Sequence, residues 1–277
     1  CTTTKPAFVT LKDHKENFRT NPQVRLINPT KPELGRASKI MLDRINTDIK
    51  AKNNLNQWTS TADVLTWFTD LPEKSSLTFV IFDIVDFYPS ISLKLLSDCL
   101  KWAKTFTRID EIEIDTIMHA RRTLLYDNDH KAWEKREGRK QFDVSMGAYD
   151  GAEICELVGA YALSQLKNKL NTSSIGLYRD DGLAVLRKAS GSRADRTRKS
   201  LISIFKDLGL RITVETNLKS VDYLDVTLNL ETGTHQPYRK PNDTPVYVHR
   251  DSNHPPPVIK QIPQAIEKRL SALSSSE

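Results

Sequence analysis

Residues 77–85 read LTFVIFDIV, in which every side chain is apolar except Thr78 and Asp83. A short run of β-branched and aromatic residues predicts a strand that is buried on both faces. An ionised carboxylate inside such a strand is costly unless it is paired or binds a cation. Asp83 is therefore a candidate cation ligand, and a buried acid satisfied by backbone donors is the competing interpretation.

Two more carboxylates, Asp180 and Asp181, lie between two apolar runs within residues 175–186. This pattern predicts a β-hairpin with the acids at its tip. Adjacent carboxylates repel each other, and a divalent cation relieves the repulsion. If the hairpin neighbours the Asp83 strand, three acids converge on one sheet edge, a donor set that suits Mg²⁺. Asp181-Gly182 is also an ordinary turn dipeptide, so a structural role stays open.

Hydrophobic periodicity predicts the remaining elements. Helices are expected at residues 38–49, from Ser60 onward, and at 92–106, 151–166 and 198–208. Strands are expected at residues 7–11, 23–27, 211–215 and 223–230, with a charged hairpin over 132–144. After three prolines, residues 262–273 carry an amphipathic stripe that places Pro263 in the first turn of a last helix. Because the acidic hairpin requires antiparallel pairing, the pattern favours an α+β sheet with helices on one face over a doubly wound parallel sheet.

The composition is that of an ordinary globular chain, with 277 residues, 38% hydrophobic and 27% charged. The first 60 residues hold 11 Lys and Arg against five Asp and Glu, which equals the net charge of +6 of the whole chain. A basic lobe on a neutral body indicates a polyanionic partner. A solvated basic surface is an equally good interpretation of charge alone.

Three widely spaced cysteines, Cys1, Cys99 and Cys155, exclude a zinc-finger spacing and a disulfide scaffold. They favour a reducing compartment, so we expect an intracellular protein of the nucleus or cytoplasm. No apolar run approaches the roughly 18 residues of a membrane span, so no membrane partner is expected. The chain begins without Met or a signal-like stretch, and we expect it to be a piece of a longer protein.

Several motifs resemble those of reverse transcriptases. FDIVDFYPSI at residues 82–91 resembles their motif A, and YRDD at residues 178–181 resembles motif C. LKDHK at 11–15 and VRLI at 24–27 resemble two fingers motifs, Met146-Gly147 resembles motif B, residues 205–219 motif D, and residues 223–230 the primer grip. The tail at residues 238–244 and 252–255 is most similar to Penelope-like retroelements.

This resemblance implies a right-hand polymerase fold. Residues 1–76 would form the fingers, and residues 77–230 a palm with a central antiparallel, ferredoxin-like sheet and the inserted hairpin at 132–144. Residues 231–277 would form a post-palm connection and an incomplete thumb. The implied activity is that of an RNA-directed DNA polymerase, which adds deoxynucleoside triphosphates to a primer on an RNA or DNA template.

The resemblance also implies roles for the acids. Asp83 and Asp180 would be the main ligands of two Mg²⁺ ions, with Mn²⁺ as a possible substitute, and Asp181 would support them. The backbone carbonyl of Ile84 would complete the nucleotide-side ion. Two such ions about 4 Å apart stabilise both the attacking and the leaving oxygen of a phosphoryl transfer.

Nucleotide-binding residues follow by position in the motifs. Lys12 and Arg25, in the basic lobe, would grip the triphosphate. Asp86, Phe87 and Tyr88 would line the sugar of the incoming nucleotide. A large side chain at position 88 favours deoxynucleotides over ribonucleotides.

Motif B and motif D supply the last candidates. Met146 and Gly147 would contact the nucleotide, although the motif continues here as Ala-Tyr-Asp-Gly. Lys219 is a candidate general acid for the leaving pyrophosphate, and a solvated lysine is its competing interpretation. Two other classes of function stay open at this point: a non-catalytic nucleic-acid-binding polymerase fold and an RNA-dependent RNA polymerase. Retention of all three acids favours an active enzyme.

Overall fold

The computed structural model describes residues 5–12, 18–122, 124–133, 144–167, 174–187, 191–240, 247–249 and 251–275. The strands in these ranges are β1 (Phe8–Leu11), β2 (Val24–Ile27), β3 (Asn56–Gln57), β4 (Leu77–Ile84), β5 (Leu125–Tyr126), β6 (Ala132–Trp133), β7 (Ile175–Tyr178), β8 (Asp181–Arg187), β9 (Ile212–Leu218), β10 (Ser220–Tyr223), β11 (Val226–Asn229) and β12 (His235–Pro237). The helices are α1 (Glu33–Lys52), α2 (Thr61–Thr69), α3 (Phe87–Ser90), α4 (Leu93–Ala103), α5 (Glu111–His119), α6 (Gly151–Leu166), α7 (Gly191–Asp207) and α8 (Pro256–Ala272).

A five-stranded sheet in the order β3-β7-β8-β4-β9 forms the centre of the fold. Strands β7, β8, β4 and β9 pair in antiparallel fashion, and β3 adds to β7 in parallel. The chain order of β4, an intervening helical segment that holds α3 to α6, the β7–β8 hairpin, α7 and β9 gives the ferredoxin-like arrangement. The predicted α+β class with an antiparallel central sheet is confirmed.

One face of this sheet is covered by helices. Phe82 and Ile84 of β4 point into a core that also holds Leu96 of α4, Leu157 of α6 and Phe205 of α7. The α6 helix runs through the middle of this core, since most of its side chains are buried on every side. Burial all round explains why its apolar pattern is broader than that of a surface helix.

The opposite face is covered too, by α2 and by a separate three-stranded sheet of β10, β11 and β12. Phe79 of β4 and Leu183 of β8 pack there against Phe68 of α2 and Leu228 of β11. The expectation that helices cover only one face of the sheet is therefore wrong for α2, which packs on the other face. The predicted capping box that starts α2 is present, with Ser60 and Asp63 exchanging hydrogen bonds.

The strand predicted over residues 223–230 is wrong in one respect. The chain turns at Leu224 and Asp225, where Leu224 has a φ of 53°, so that β10 and β11 form a hairpin instead of one strand. The alternation breaks at the turn, because Tyr223 pairs with Val226, three positions on, and both are buried. A left-handed leucine carries no sequence signal of the kind that glycine or asparagine gives.

Three further expectations need adjustment. Strand β3 lies inside the segment predicted as fingers, yet it pairs with β7 in the central sheet. The predicted boundary at residue 76 therefore leaves one strand of the sheet on the fingers side. Pro263 is in the interior of α8 and not in its first turn, because α8 begins at Pro256. The expected turn of the 132–144 hairpin lies outside the described residues; within them, β6 pairs with β5. None of the described helices combines the length and apolar character needed to cross a bilayer.

Candidate active site

The antiparallel register brings the three candidate acids to one end of the central sheet. Asp83, near the end of β4, is the partner of Asp181 at the start of β8. The backbone N–H of Ile84 donates to the carbonyl of Asp180 at 3.0 Å, so the hairpin tip is fastened to β4. Opposed residues of this kind have their Cβ atoms about 5 Å apart. The structure therefore brings Asp83, Asp180 and Asp181 together, as expected. The expected burial of β4 on both faces is wrong at Asp83, which is exposed because it lies near the end of the strand.

The hairpin turn consists of Arg179 and Asp180, since Tyr178 pairs directly with Asp181. Arg179 takes the left-handed conformation at a φ of 54°, and its guanidinium lies 5.5 Å from the centroid of the Tyr178 ring. Gly182 is not a turn residue. It lies within β8, where a Cβ would come within 2.0 Å of the Phe82 ring. Close approach of that ring, and not turn chemistry, explains the Asp-Gly pair.

Burial and like charge both raise the pKa of a carboxyl at this edge. Burial, together with the neighbouring carboxylates of Asp180 and Asp83, raises the pKa of Asp181 to about 6, against a smaller lowering by Lys240. A carboxyl with raised pKa beside two others marks a place where a cation would be stabilising.

No three acidic, histidine or cysteine side chains form a ready-made ligand set within the described residues. The donor chemistry nevertheless fits Mg²⁺, which takes one or two protein carboxylates and fills its other positions with waters and phosphate oxygens. The side chain of Ile84 is a hydrocarbon without a donor atom, so only its backbone carbonyl could contribute. Its carbonyl and the three acids stay predicted ligands.

Tyr223, which sequence analysis did not single out, supports the acidic edge through the backbone of Asp181. The Tyr223 hydroxyl donates to the backbone carbonyl of Asp181 at 2.6 Å. Its buried ring stacks edge-on against Trp58, with centroids 5.8 Å apart, and Trp58 contacts Trp67 at 5.1 Å. The hairpin of β10 and β11 is thereby tied to the acidic edge. No pattern in the sequence distinguishes Tyr223 from an ordinary core aromatic.

The turn after β4 carries three of the predicted nucleotide contacts. Asp86 is exposed and left-handed, with a φ of 49°, and Tyr88 is half-buried at the start of α3. Phe87 is only 2% exposed and belongs to the core. The Phe87 side chain therefore anchors the turn in the core, and only the backbone of Phe87 could line a sugar, as a prediction.

Lys12 and Arg25 lie on a two-stranded ribbon formed by β1 and β2. Arg25 pairs with Thr10, and the backbone N–H of Lys12 donates to the carbonyl of Gln23 at 2.9 Å. Because side chains alternate along a strand, Lys12 and Arg25 share one face of the ribbon. Their role at the triphosphate stays a prediction.

Met146 and Gly147 join this ribbon to α6. The backbone N–H of Asn28, just after β2, donates to the Met146 carbonyl at 2.8 Å. Gly147 has a φ of 92°, and a Cβ there would lie 2.6 Å from the Asn28 carbonyl oxygen. Only glycine fits at this close crossing. Both residues are thus at a junction between the basic lobe and the acidic edge.

Lys219 is far from the acids. Its Nζ donates to the carbonyls of Ser75 and Leu77, at 2.9 and 2.8 Å. Leu77 begins β4, six residues before Asp83, a separation of about 20 Å along an extended strand. The expectation that Lys219 is a general acid is therefore wrong, since its ammonium group is hydrogen-bonded at the end of β4 opposite to Asp83.

A buried ion pair was also missed. Arg121, after α5, contacts Asp150, the residue before α6, and both side chains are essentially inaccessible. Arginine and aspartate 29 residues apart give no sequence signal of contact. The pair fixes the start of α6 beside the site.

Comparisons with known proteins agree with this architecture at the level of fold. No protein-family model and no curated protein match the chain. The apo telomerase of Candida tropicalis, truncated from its C-terminal domain, superposes with a TM-score of 0.51 at 14% identity, covering 74% of this chain and 45% of the telomerase. The RNA-dependent RNA polymerase of a human picobirnavirus superposes with a TM-score of 0.57 at 12% identity, covering 82% of this chain and 44% of the viral polymerase.

The RNA polymerase inside a double-stranded RNA virus gives a TM-score of 0.53 at 13% identity, covering 85% of this chain and 22% of the viral one. The chain spans less than half the length of each of these three structures. Identity this low establishes the fold alone. The chain has the fingers–palm fold of nucleic-acid polymerases.

Proposed function

We propose that this chain is the fingers–palm part of an RNA-directed DNA polymerase, a nucleotidyltransferase that extends a primer with deoxynucleotides. The observation that carries the proposal is the convergence of Asp83, Asp180 and Asp181 at one end of a polymerase-type sheet. The motif resemblance supplies the template class, and Penelope-like retroelements are the proposed source type. The fold of the structural neighbours supports the general reaction class.

In this proposal the acids of the chain create the electrostatic centre. Asp83 and Asp180 would hold two Mg²⁺ ions, or Mn²⁺ in their place, and Asp181 would add charge behind them. When bound, such ions stabilise the attacking and leaving oxygens of phosphoryl transfer. Burial of Asp181 strengthens its interaction with any cation there, because the local dielectric is low.

The other residues would bind and orient the nucleotide. Lys12 and Arg25 offer two cations on one face of the ribbon, which suits a triphosphate. Tyr88 would close the pocket beneath the sugar and exclude a 2′-hydroxyl by shape. Asp86 would lie beside it, and Met146 with Gly147 would hold the ribbon against α6.

Proposed partners are an RNA or DNA template-primer and deoxynucleoside triphosphates. The excess positive charge of the first 60 residues supports a polyanion on that side of the molecule. The segments 1–76, 77–230 and 231–277 remain our proposed fingers, palm and post-palm regions, with β3 shared between the first two.

RNA-dependent RNA polymerase activity is the second candidate, because viral enzymes of that class share the fold. Primer extension separates the two. We expect extension of a DNA primer on an RNA template with deoxynucleotides and Mg²⁺, and at least a hundredfold lower kcat/KM with ribonucleotides. Preference for ribonucleotides would move the proposal to the second class. Binding of template-primer without any extension, in Mg²⁺ or Mn²⁺, would favour a non-catalytic binder.

A further inference from the structure

The β5–β6 hairpin carries an exposed tryptophan. Trp133 on β6 is 63% exposed, whereas Trp58 and Trp67 are buried in the core. A single apolar side chain on a surface is ordinary, so exposure alone does not mark a binding site. What distinguishes Trp133 is the way in which the hairpin holds its ring.

The Trp133 ring is fixed by its own hairpin. Its Nε1 donates to Oδ2 of Asp127 at 3.0 Å, while Oδ1 of Asp127 accepts from the backbone N–H groups of Asp129 and Lys131 at 2.9 and 2.8 Å. Hydrogen bonds from the Lys131 backbone and from the indole lower the pKa of Asp127, so this carboxylate stays ionised at neutral pH. Trp133 also lies opposite Leu125 in the register of the hairpin. Because the ring is already ordered, a ligand that stacks on it costs little additional side-chain entropy.

The hydrogen bond to Asp127 also determines what the ring can offer to a ligand. An indole has a single polar group, its N–H donor. A tryptophan in a protein interface usually finds a partner for that donor across the interface. In Trp133 the donor is satisfied within the hairpin, so the flat faces of the ring are what remains for a ligand. Nucleobases suit such a face, because every base has a π-face that stacks on an aromatic side chain.

The hairpin is joined to the basic lobe through two contacts. The Asn28 side chain donates to the carbonyl of Leu124 at 3.3 Å. The backbone N–H of Ala7 donates to the carbonyl of Tyr126 at 2.8 Å. Ala7 and Asn28 both belong to the first 60 residues, which hold an excess of positive charge equal to that of the whole chain. The hairpin therefore adjoins the part of the molecule that attracts a polyanion.

Exposed cations lie around this junction. They are Arg122 before β5, Lys131 at the hairpin tip and Lys31 shortly after the Asn28 contact. The Nζ of Lys31 lies 5.2 Å from the centroid of the Tyr149 ring, which is itself 37% exposed. Asp129 is an exposed acid at the tip and opposes them in part. Aromatic rings beside cations are the combination that binds single strands, since the rings stack with bases and the cations attract phosphates.

We propose that the exposed face of the β5–β6 hairpin binds single-stranded nucleic acid, with an unpaired base stacked on the Trp133 ring. Lys31, Arg122 and Lys131 would attract the phosphates of the same strand. The inference rests on the proposed function, which supplies nucleic acid as the partner, but it requires no catalysis. Stacking tolerates any base, so the surface would accept RNA or DNA.

The test measures fluorescence anisotropy of a labelled oligouridylate of about 15 nucleotides, titrated with the chain in EDTA. Trp133→Ala should weaken binding by about five- to 150-fold, the effect of losing one stacked base. Trp133→Phe keeps an aromatic ring and should bind within about threefold of the wild type. Ile112→Ala is the matched control: Ile112 on α5 is 75% exposed and has no ring, so its loss should leave the affinity unchanged.

Salt dependence separates stacking from a charge effect. A stacked base releases no counterions, so the slope of affinity against salt should be equal in Trp133→Ala and the wild type. A smaller slope in Trp133→Ala would overturn the inference, because the variant would then have lost phosphate contacts and not a stack.

Two further outcomes would overturn it. One is equal binding by Trp133→Ala and Ile112→Ala, which would leave the exposed ring to a protein partner. The other is a wild-type chain that binds no oligouridylate in EDTA, whether or not it extends a primer. Failure of primer extension alone would remove the proposed function and not this surface, since the wild type would still bind the oligouridylate and Trp133→Ala would still bind it more weakly.

Discussion

Asp83 on β4 lies directly opposite Asp181 on β8, so two carboxylates occupy partner positions of an antiparallel pair. Like charges at opposed positions destabilise a sheet. The strand pair is nonetheless continuous from Leu77 to Asp83, because the apolar contacts along it outweigh the repulsion at its end. The fold thus holds acids together that would otherwise separate, which is the arrangement a cation site requires.

The burial of Asp181, together with this repulsion, predicts a pH-dependent stability in metal-free solution. The pKa of Asp181 is about 6 in the folded chain against 3.8 for an ordinary carboxyl, so the folded state binds the proton more tightly. The resulting stabilisation is complete below the unfolded pKa and is lost as the pH rises through 6. We expect the free energy of unfolding to fall by roughly 2 kcal/mol between pH 4 and 7.

Urea unfolding in EDTA across this range measures the effect. Asp181→Asn should remove most of the slope, since Asp83 and Asp180 then face a neutral amide. An unchanged slope in that variant would assign the pH dependence to other groups.

The second prediction concerns catalysis. Asp180→Asn should abolish detectable extension, a loss of at least about a hundredfold in kcat, because a charge-stabilising group is removed from the reacting centre. Template-primer affinity should stay within about threefold, since Lys and Arg contacts to phosphate supply most of it. Asp98→Asn is the control: Asp98 is an α4 surface acid that pairs with Lys94 at 2.6 Å, and its loss should leave both quantities unchanged. Parallel loss of binding and synthesis in Asp180→Asn would contradict the assigned role.

The ribbon face predicts a nucleotide effect. Lys12→Ala and Arg25→Ala should each raise the KM for nucleotide by about tenfold, the cost of one charged hydrogen bond to phosphate. The exposed Lys5, outside the ribbon in the same basic lobe, provides the control, and Lys5→Ala should leave KM unchanged. If the two ribbon variants alter only the salt dependence of template binding, Lys12 and Arg25 contact the phosphate backbone of the nucleic acid and not the nucleotide.

The buried pair of Arg121 and Asp150 predicts a large effect on stability. Arg121→Met leaves a buried carboxylate without its partner and should lower the free energy of unfolding by about 3–5 kcal/mol. Adding Asp150→Asn should recover part of that loss, because the uncompensated charge is gone. Lys94→Met, which breaks an exposed pair, should cost less than about 1 kcal/mol. Equal costs for the buried and exposed pairs would show that Asp150 is solvated.

Parts of this site could be predicted because they depend on local patterns. The apolar runs around Asp83 and Asp180 specify two strands, and a two-residue turn at Arg179 fixes the hairpin register. Once β4 and β8 are neighbours, only registers that differ by two residues keep the same side chains in the core, and Asp83 opposite Asp181 is one of them. Strand pattern and turn length therefore place each acid at the end of a strand, and the pairing of β8 with β4 in the structure brings the acids together.

Other parts depend on contacts that no local pattern encodes. Lys219 follows β9, and only the register of β9 against β4 shows that its ammonium group reaches Leu77 and not the acids. Phe87 has the same aromatic character as Tyr88, yet the Phe87 ring is buried in the core and the Tyr88 ring packs only partly buried against it. The first half of α7 carries few apolar residues, so periodicity predicts a helix that begins at residue 198, whereas α7 begins at Gly191. Packing decides these cases after the elements have formed.

The last prediction concerns Tyr88 as the gate against ribonucleotides. Its ring is half-buried, supported by Gly151 and adjacent to the acidic edge, so its outer side is the part available to a sugar. A 2′-hydroxyl would collide with that side, and the collision acts on the transition state and therefore on kcat/KM. Tyr88→Val should admit ribonucleotides while keeping deoxynucleotide kcat/KM within about tenfold, or about 1.4 kcal/mol. Single-nucleotide incorporation with each sugar measures both values. An active Tyr88→Val enzyme with unchanged sugar selectivity would refute the gate, because no other change in the variant could replace the lost ring.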